Sequence, residues 1–322
     1  MKRALLMILR LACLAVPAIA PAADNWPAKP LRIIVPYGAG STTDIIPRAV
    51  FEQLSPQLGQ SIIVENRAGA GGTIGAGMVA KANPDGYTIL ANSSAHTIAP
   101  SLYSNLTYHA VRDFAAVVPL GLSAAVLVVS PARGFKTAGD LVAAAKAKPG
   151  TLNFSSVGIG SGTHLSAERF RFSAGVDATH IPFKGGAEAM SEVIAGRADF
   201  FFGPVGLVAP HVRDGKLTAL VVNSAKRAAA LPEVLTTSEA GFVNAEYPLW
   251  FGLFVPAKTP IDVIARLNRE TLKALQAPRT RDRMAALGVE PMVMTPAEFD
   301  AHVRKEIAAD AALVKAVGLK PE

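Results

Sequence analysis

The chain has 322 residues, half of them hydrophobic, with 32 basic and 25 acidic side chains and a single cysteine. The positive charge is spread without any long basic run, which argues against a nucleic-acid-binding tract or a polybasic membrane anchor, and one cysteine rules out an intrachain disulfide framework. The length suits two domains of ordinary size.

The first residues carry the pattern of a secretory signal, expected over residues 1–22. Lys2, Arg3 and Arg10 charge the front, residues 11–19 supply a short apolar stretch, and Ala20-Pro21-Ala22 offers a cleavage site. The stretch is too short and interrupted to span a bilayer as a permanent helix. Cys13 lies inside this signal, and Arg10 stands where a lipoprotein motif needs an apolar residue, so lipidation is not expected. Cleavage leaves 29 basic against 25 acidic residues, a net charge of +4 on a cysteine-free chain. The expected location is a bacterial periplasm, where mild positive charge favours anionic ligands.

Strands and helices then alternate. Residues 31–36 read as a strand, 42–58 as a helix, 61–65 as a strand, 73–82 as a helix and 87–92 as a strand, each strand short and bounded by Gly, Pro or Asn. Repeated βαβ units imply a mostly parallel sheet covered on both faces. Pro47 falls inside the first helix, where an interior proline costs about 3 kcal/mol, so a kink or irregular turn is expected there. A long apolar stretch at 115–129 precedes a second series. Thr137-x-x-Asp140 caps a helix through Lys146, and strands at 152–157, 178–183, 199–202 and 217–222 alternate with helices at 163–174, 187–195 and 207–212. After an apolar segment at 250–255, Thr259-Pro260-x-Asp262 and Thr295-Pro296-x-Glu298 start two more helices, each with Thr at the N-cap. No strand is expected after them, so they pack on an existing lobe.

Two turns stand out. Pro36-Tyr37-Gly38-Ala39-Gly40-Ser41-Thr42-Thr43-Asp44 joins the first strand to the first helix, and Ser41-x-x-Asp44 fits a capping box. Free backbone N–H groups at such a tip, with the positive end of the helix dipole, make an anion site. Ser155-Ser156-Val157-Gly158-Ile159-Gly160-Ser161-Gly162-Thr163-His164 repeats that logic in the second series. It is no dinucleotide fingerprint, because Thr163 holds the place of the third glycine, and no nucleophile elbow, because no serine has the G-x-S-x-G frame. One such turn is ordinary βα geometry; one per lobe, both at strand ends, points to a ligand shared between the lobes. The glycine-rich run from Glu65 to Thr73 reads as a structural turn, while Ser93 and Ser94 sit at the same sheet edge as the first site. The six histidines show no metal spacing; His164 has the best functional case because it rides on the second turn. No Ser/His/Asp order singles out a triad, although its members need only meet in space.

These strings resemble a family. Ile34-Val35-Pro36-Tyr37 through Asp44, the run from Val64 to Gly75, Pro84-Asp85-Gly86-Tyr87-Thr88, His180-Ile181-Pro182-Phe183-Lys184-Gly185, Ser224-Ala225-Lys226-Arg227, Glu239-Ala240-Gly241 and Trp250-Phe251-Gly252-Leu253 are similar to the solute receptors of tripartite tricarboxylate transporters, also called Bug (Bordetella uptake gene) receptors. The resemblance covers the mature chain in order. It implies an α/β, type II periplasmic binding protein fold, with two α/β lobes closing on a ligand cleft: lobe I from residues 27–122 and 256–322, lobe II from 123–255. It also implies that the turns Ala39 to Asp44 and Ser156 to His164 grip a ligand carboxylate, partly through ordered water.

The chain departs from the family's pattern at Gly40-Ser41, where Gly-Gly is common, and at Gly203-Pro204, where many relatives carry Asp-Asn. The second departure removes a counter-charge for a ligand amine and favours a plain organic acid. The resulting ligand-binding set is Tyr37, Ala39, Gly40, Ser41, Thr42, Thr43, Asp44, Ser93, Ser94, Ser156, Gly158, Gly160, Ser161, Gly162, Thr163, His164, Lys184 and Gly203. Lys184 is placed to receive a second carboxylate. The implied partners are a small organic acid and the membrane permease subunits of a tripartite tricarboxylate transporter. A monomer without cofactor or metal is expected. A ligand sensor that presents its closed form to a signalling partner, and a secreted hydrolase, remain as other readings of the same residues.

Overall fold

A computed structural model describes residues 26–319 of the chain; the signal expected at 1–22 lies outside them. Strands β1 (Leu31–Val35), β2 (Ile62–Asn66) and β3 (Thr88–Ser93) pair in parallel, with β1 in the middle, and are joined through α1 (Thr42–Leu58) and α2 (Thr73–Ala80). β1 is covered on both faces. Leu31, Ile33 and Val35 enter one core cluster and Ile34 the opposite one, as the period-two geometry of a strand requires. A short helix, α3 (Ala95–Leu102), follows β3 and was not expected. The apolar run at 115–129 is then divided between two sheets: β4 (Phe114–Ser123) completes its stay in the first, and β5 (Ala125–Val129) opens the second.

The second sheet has the order β7-β6-β8-β5-β9, built from β6 (Asn153–Ser156), β7 (Thr179–Pro182), β8 (Phe200–Pro204) and β9 (Thr218–Val222) with β5. Its helices are α4 (Ala138–Ala147), α5 (Gly162–Ala174), α6 (Gly186–Ile194) and α7 (Val205–Arg213). The chain returns earlier than residue 256. β10 (Leu249–Pro256) already lies in the first sheet, antiparallel to both β3 and β4. Three helices follow rather than two: α8 (Ile261–Gln276), α9 (Pro278–Ala286) and α10 (Pro296–Ala316), with a two-residue strand, β11 (Val289–Glu290), pairing with β4. The expected mostly parallel sheets are mixed, because β4, β5 and β10, the strands at the crossings, join antiparallel neighbours.

One side chain ties the two crossings together. The Asn223 amide oxygen accepts from the Ala125 N–H at 2.7 Å, its Nδ2 donates to the Tyr247 carbonyl at 2.6 Å, and its own carbonyl accepts from Tyr247 N–H at 3.0 Å. Beside it, Ile98 and Leu102 of α3 and Val314 of α10 pack with Leu165 of α5, an apolar contact between the two halves.

The helix starts differ from their sequence signals in instructive ways. Thr137 with Asp140 and Thr295 with Glu298 both form complete capping boxes. Thr259 does not cap: α8 begins one residue later, after Pro260, and the Thr259 hydroxyl has no partner among the described residues. Ser41 precedes α1 but makes no side-chain cap bond. α1 also runs unbroken across Pro47, with a second proline, Pro56, near its end.

Candidate functional site

Four helix N-termini meet at one cavity of about 190 Å³ between the sheets. α1 contributes Ser41, Thr42 and Thr43; α5 contributes Ser161, Gly162 and Thr163; α6 contributes Gly185, Gly186 and Ala187; α7 contributes Pro204, Gly206 and Leu207. Tyr37, Ile45, Val157, Leu249, Phe251 and Leu287 supply the apolar wall, and Ser93 a hydroxyl. Among the described residues of the lining Lys184 carries a charge and there is no carboxylate. First-turn N–H groups lie ahead of the intrahelical bonds and carry the positive end of the helix dipole, so the arrangement favours an anion.

The first turn is held by Asp44. Its carboxylate accepts from Gly40 N–H at 2.9 Å, from the Arg48 guanidinium at 2.8 Å and from the Asn66 amide at 2.9 Å. Burial pushes this carboxyl up, but the bonds from Gly40, Asn66 and Arg48 outweigh it and hold the group below the usual carboxylate range. The capping box is not formed: the acid reaches past Ser41 to the Gly40 N–H, the Ser41 N–H donates to the Gly38 carbonyl, and the Ser41 hydroxyl, buried at the cavity, has no partner among the described residues. Tyr37 braces the same wall, its hydroxyl donating to the Gly71 carbonyl at 2.9 Å.

The second turn is held differently. The Ser161 hydroxyl caps α5 by accepting from His164 N–H, and the Thr163 hydroxyl accepts from Val157 N–H at 3.1 Å. Gly158 N–H donates to the Ser156 hydroxyl at 3.0 Å and Gly160 N–H to His164 Nδ1 at 3.2 Å. The turn also touches the first half of the molecule: Tyr103 donates to the Ile159 carbonyl at 3.4 Å, and a Cβ on Gly160 would meet Leu102 at 2.8 Å. Ser156 Oγ is 2.6 Å from His180 Nε2, the geometry of a Ser–His pair, but Ser156 is fully buried and lies outside the cavity lining.

Residues 46–319 match the family model described as the tripartite tricarboxylate transporter family receptor. The chain belongs to this family. Protein BugT of Bordetella pertussis is 34% identical over 300 residues, covering 92% of this chain and 92% of its own length. Among solved structures, Rhodopseudomonas palustris Rpa4515 with adipate superposes with a TM-score of 0.87 at 30% identity, covering 92% of this chain and 100% of that one. MatC from the same organism, with bound malate, gives a TM-score of 0.83 at 30% identity, over 90% of this chain and 100% of that one. The fold is that of the type II periplasmic binding proteins, two α/β lobes with a cleft between them. No helix among the described residues is long and apolar enough to cross a membrane.

In this receptor the cavity gathers Tyr37, Gly40, Ser41, Thr42, Thr43, Ser93, Ser161, Gly162, Thr163 and Lys184 from the expected set. It leaves out Ala39, Asp44, Ser94, Ser156, Gly158, Gly160, His164 and Gly203. Asp44, Ser156, Gly158, Gly160 and His164 are engaged in holding the turns, so their polar groups face each other rather than the cavity. Gly203 is the clearest correction. A side chain there would run into Val208 and Phe201 in the apolar core, and it is Pro204 that faces the cleft. The glycine at 162 answers to packing: a Cβ would collide with Leu249. The N-termini of α6 and α7 escaped the sequence reading because neither Gly185 nor Pro204 is a side-chain cap. The glycine pair 185–186 was the available signal.

Proposed function

We propose that this receptor captures a small organic dicarboxylate in the periplasm and presents it to the permease subunits of a tripartite transporter. The observation that carries this reading is the convergence of four helix N-termini and Lys184 on one small cavity whose lining has no carboxylate. The buried, unpartnered Ser41 hydroxyl adds a donor at the same place. α1 and α5 suit one carboxylate, and α6 with Lys184 a second. The ε-ammonium of Lys184 has no ion-pair partner among the described residues. The adipate and malate held by the two structural relatives belong to this ligand class. A ligand ammonium would meet no acid in the lining and would keep its desolvation cost, so neutral-bodied acids bind better than their amino analogues.

The test is calorimetric titration of purified residues 23–322 with malate, succinate and adipate against aspartate and glutamate. A dicarboxylate at a hundred times its Kd raises stability by about 2.7 kcal/mol, which a thermal scan reads directly. Preference for aspartate over succinate, or no response to any dicarboxylate, would overturn the reading. Loss of uptake of the bound acid on deletion of the gene tests the transport role.

A further inference from the structure

We propose that the stacked imidazoles of His164 and His180 are positioning residues for the second binding turn, each holding one of its two left-handed glycines while uncharged. The proposal rests on the cavity reading above and explains how one side of that cavity keeps its shape. Gly158 and Gly160 have φ of +121° and +71°, conformations that need external support to be unique. His164 accepts the Gly160 N–H directly, and His180 acts through Ser156, whose hydroxyl accepts the Gly158 N–H. The two rings lie 4.0 Å apart at 18°, and Phe154 stacks on His180 at 4.9 Å. The rings therefore form one rigid block behind Val157, Ser161 and Gly162, which do face the cavity.

The hydrogen bonds dictate the protonation state. His164 Nδ1 accepts from an amide, so its proton sits on Nε2, which points toward Glu168 Oε1 at 3.8 Å. A second proton on Nδ1 would set N–H against N–H and release Gly160. The charged groups facing this block are Glu168 and, bonded to it, Arg171, which also pairs with Asp177; no carboxylate pairs with His180 among the described residues. Burial pushes His164 down to about 3, aided by His180 and Arg171, and burial pushes His180 down to about 4. Both rings stay neutral well above those values, so the turn is insulated from ordinary changes of pH.

Paired substitutions separate hydrogen bonding from packing. His164→Asn keeps an acceptor near the Nδ1 position and loses the stack, whereas His164→Phe keeps a ring and loses the acceptor. His180→Gln and His180→Phe make the same contrast one step further out. With malate, succinate and adipate as probes, the Asn and Gln variants retain affinity within about threefold, and the Phe variants lose tenfold or more. Phe variants that bind like the unmodified protein, or Asn and Gln variants as weak as Phe, overturn the proposal. Two readouts need no ligand. Amide exchange at Gly158 and Gly160 accelerates in the Phe variants, and the imidazole nitrogen resonances of His164 keep an unprotonated Nδ1 from pH 8 to pH 5. Unchanged exchange, or a doubly protonated His164 at pH 6, refutes the positioning role. Failure of all three probes to bind would instead strike the dicarboxylate reading, with the exchange and imidazole signals still deciding the turn.

Discussion

At the first binding turn, Asp44 draws together the Gly40 N–H, the Arg48 guanidinium and the Asn66 amide. At the second, Ser156 and His164, rather than a carboxylate, accept the N–H groups of Gly158 and Gly160. Strand, glycine turn and helix follow one another in the same way at both, so the two sites are alike in backbone and unlike in chemistry. Equal shape thus leaves unequal vulnerability. A charge-held turn fails when its charge is removed, and a ring-held turn fails when its rings acquire one.

The largest effect belongs to Asp44. Asp44→Ala leaves the Gly40 N–H and two further donors without their acceptor, and hydrogen bonds to a charged group are worth about 1.5–3 kcal/mol each. We expect a stability loss of about 3 kcal/mol in urea unfolding and an affinity loss beyond tenfold, worth about 1.4 kcal/mol. Asp44→Asn, which keeps one acceptor oxygen, falls between Ala and the unmodified protein. An Asn variant with full affinity would reduce Asp44 to a helix-end residue.

Acid is the next lever. In the folded chain His96 and His180 are pushed down to about 4 and His164 to about 3, in each case chiefly by burial. The unfolded chain takes up those protons below about pH 6.5 and the folded chain does not, so stability falls as pH drops from about 6.5 toward 4. Asp310 runs the other way. Burial pushes it up to about 7, so the folded state binds a proton that the unfolded state binds only near pH 4, and this partly offsets the loss. These three histidines against Asp310 give a net fall of about 2 kcal/mol per pH unit near pH 5, softened by Glu168, whose carboxyl is also pushed up by burial. Asp310→Asn removes the opposing group and steepens that limb by about 1.4 kcal/mol per unit. Thermal midpoints between pH 8 and pH 5 check both; a flat acid limb would contradict the neutral histidines, including the pair at the second turn.

The smallest contrast lies between two serines in matching positions. Ser161 accepts a helix amide, and Ser161→Ala costs about 1 kcal/mol of stability. The Ser41 hydroxyl has no partner among the described residues, so Ser41→Ala leaves stability within about 0.5 kcal/mol while weakening dicarboxylate binding several-fold. Equal stability losses in the two variants would erase the distinction.

Both turns were legible in the sequence because glycine spacing and the switch from strand to helix period are local signals. What escaped was mostly a matter of direction. β8 is buried on both faces, so its apolar run carries no alternation, and the parity that sends Gly203 into the core and Pro204 to the cleft could not be read. The sequence marks β10 only as an apolar segment at 250–255, and membership of a sheet depends on partners far away in sequence, so its place in the first sheet, with lobe I, could not be read locally. α3 is only eight residues long and contains Pro100, and β11 has two residues, both below what a period can resolve. Ser41-x-x-Asp44 matched a capping pattern whose serine hydroxyl is in fact left without a partner among the described residues.

The bonds of Asn223 have a mechanical consequence. Ala125 lies where the first crossing enters the second sheet and Tyr247 just before the second crossing re-enters the first, and both are bonded to this one residue. Only the bonds to Tyr247 lie on the path back to the first sheet, so a relative movement of the lobes would load those two bonds before the one to Ala125. A single amide therefore pins both crossings, and Asn223→Ala would loosen them together.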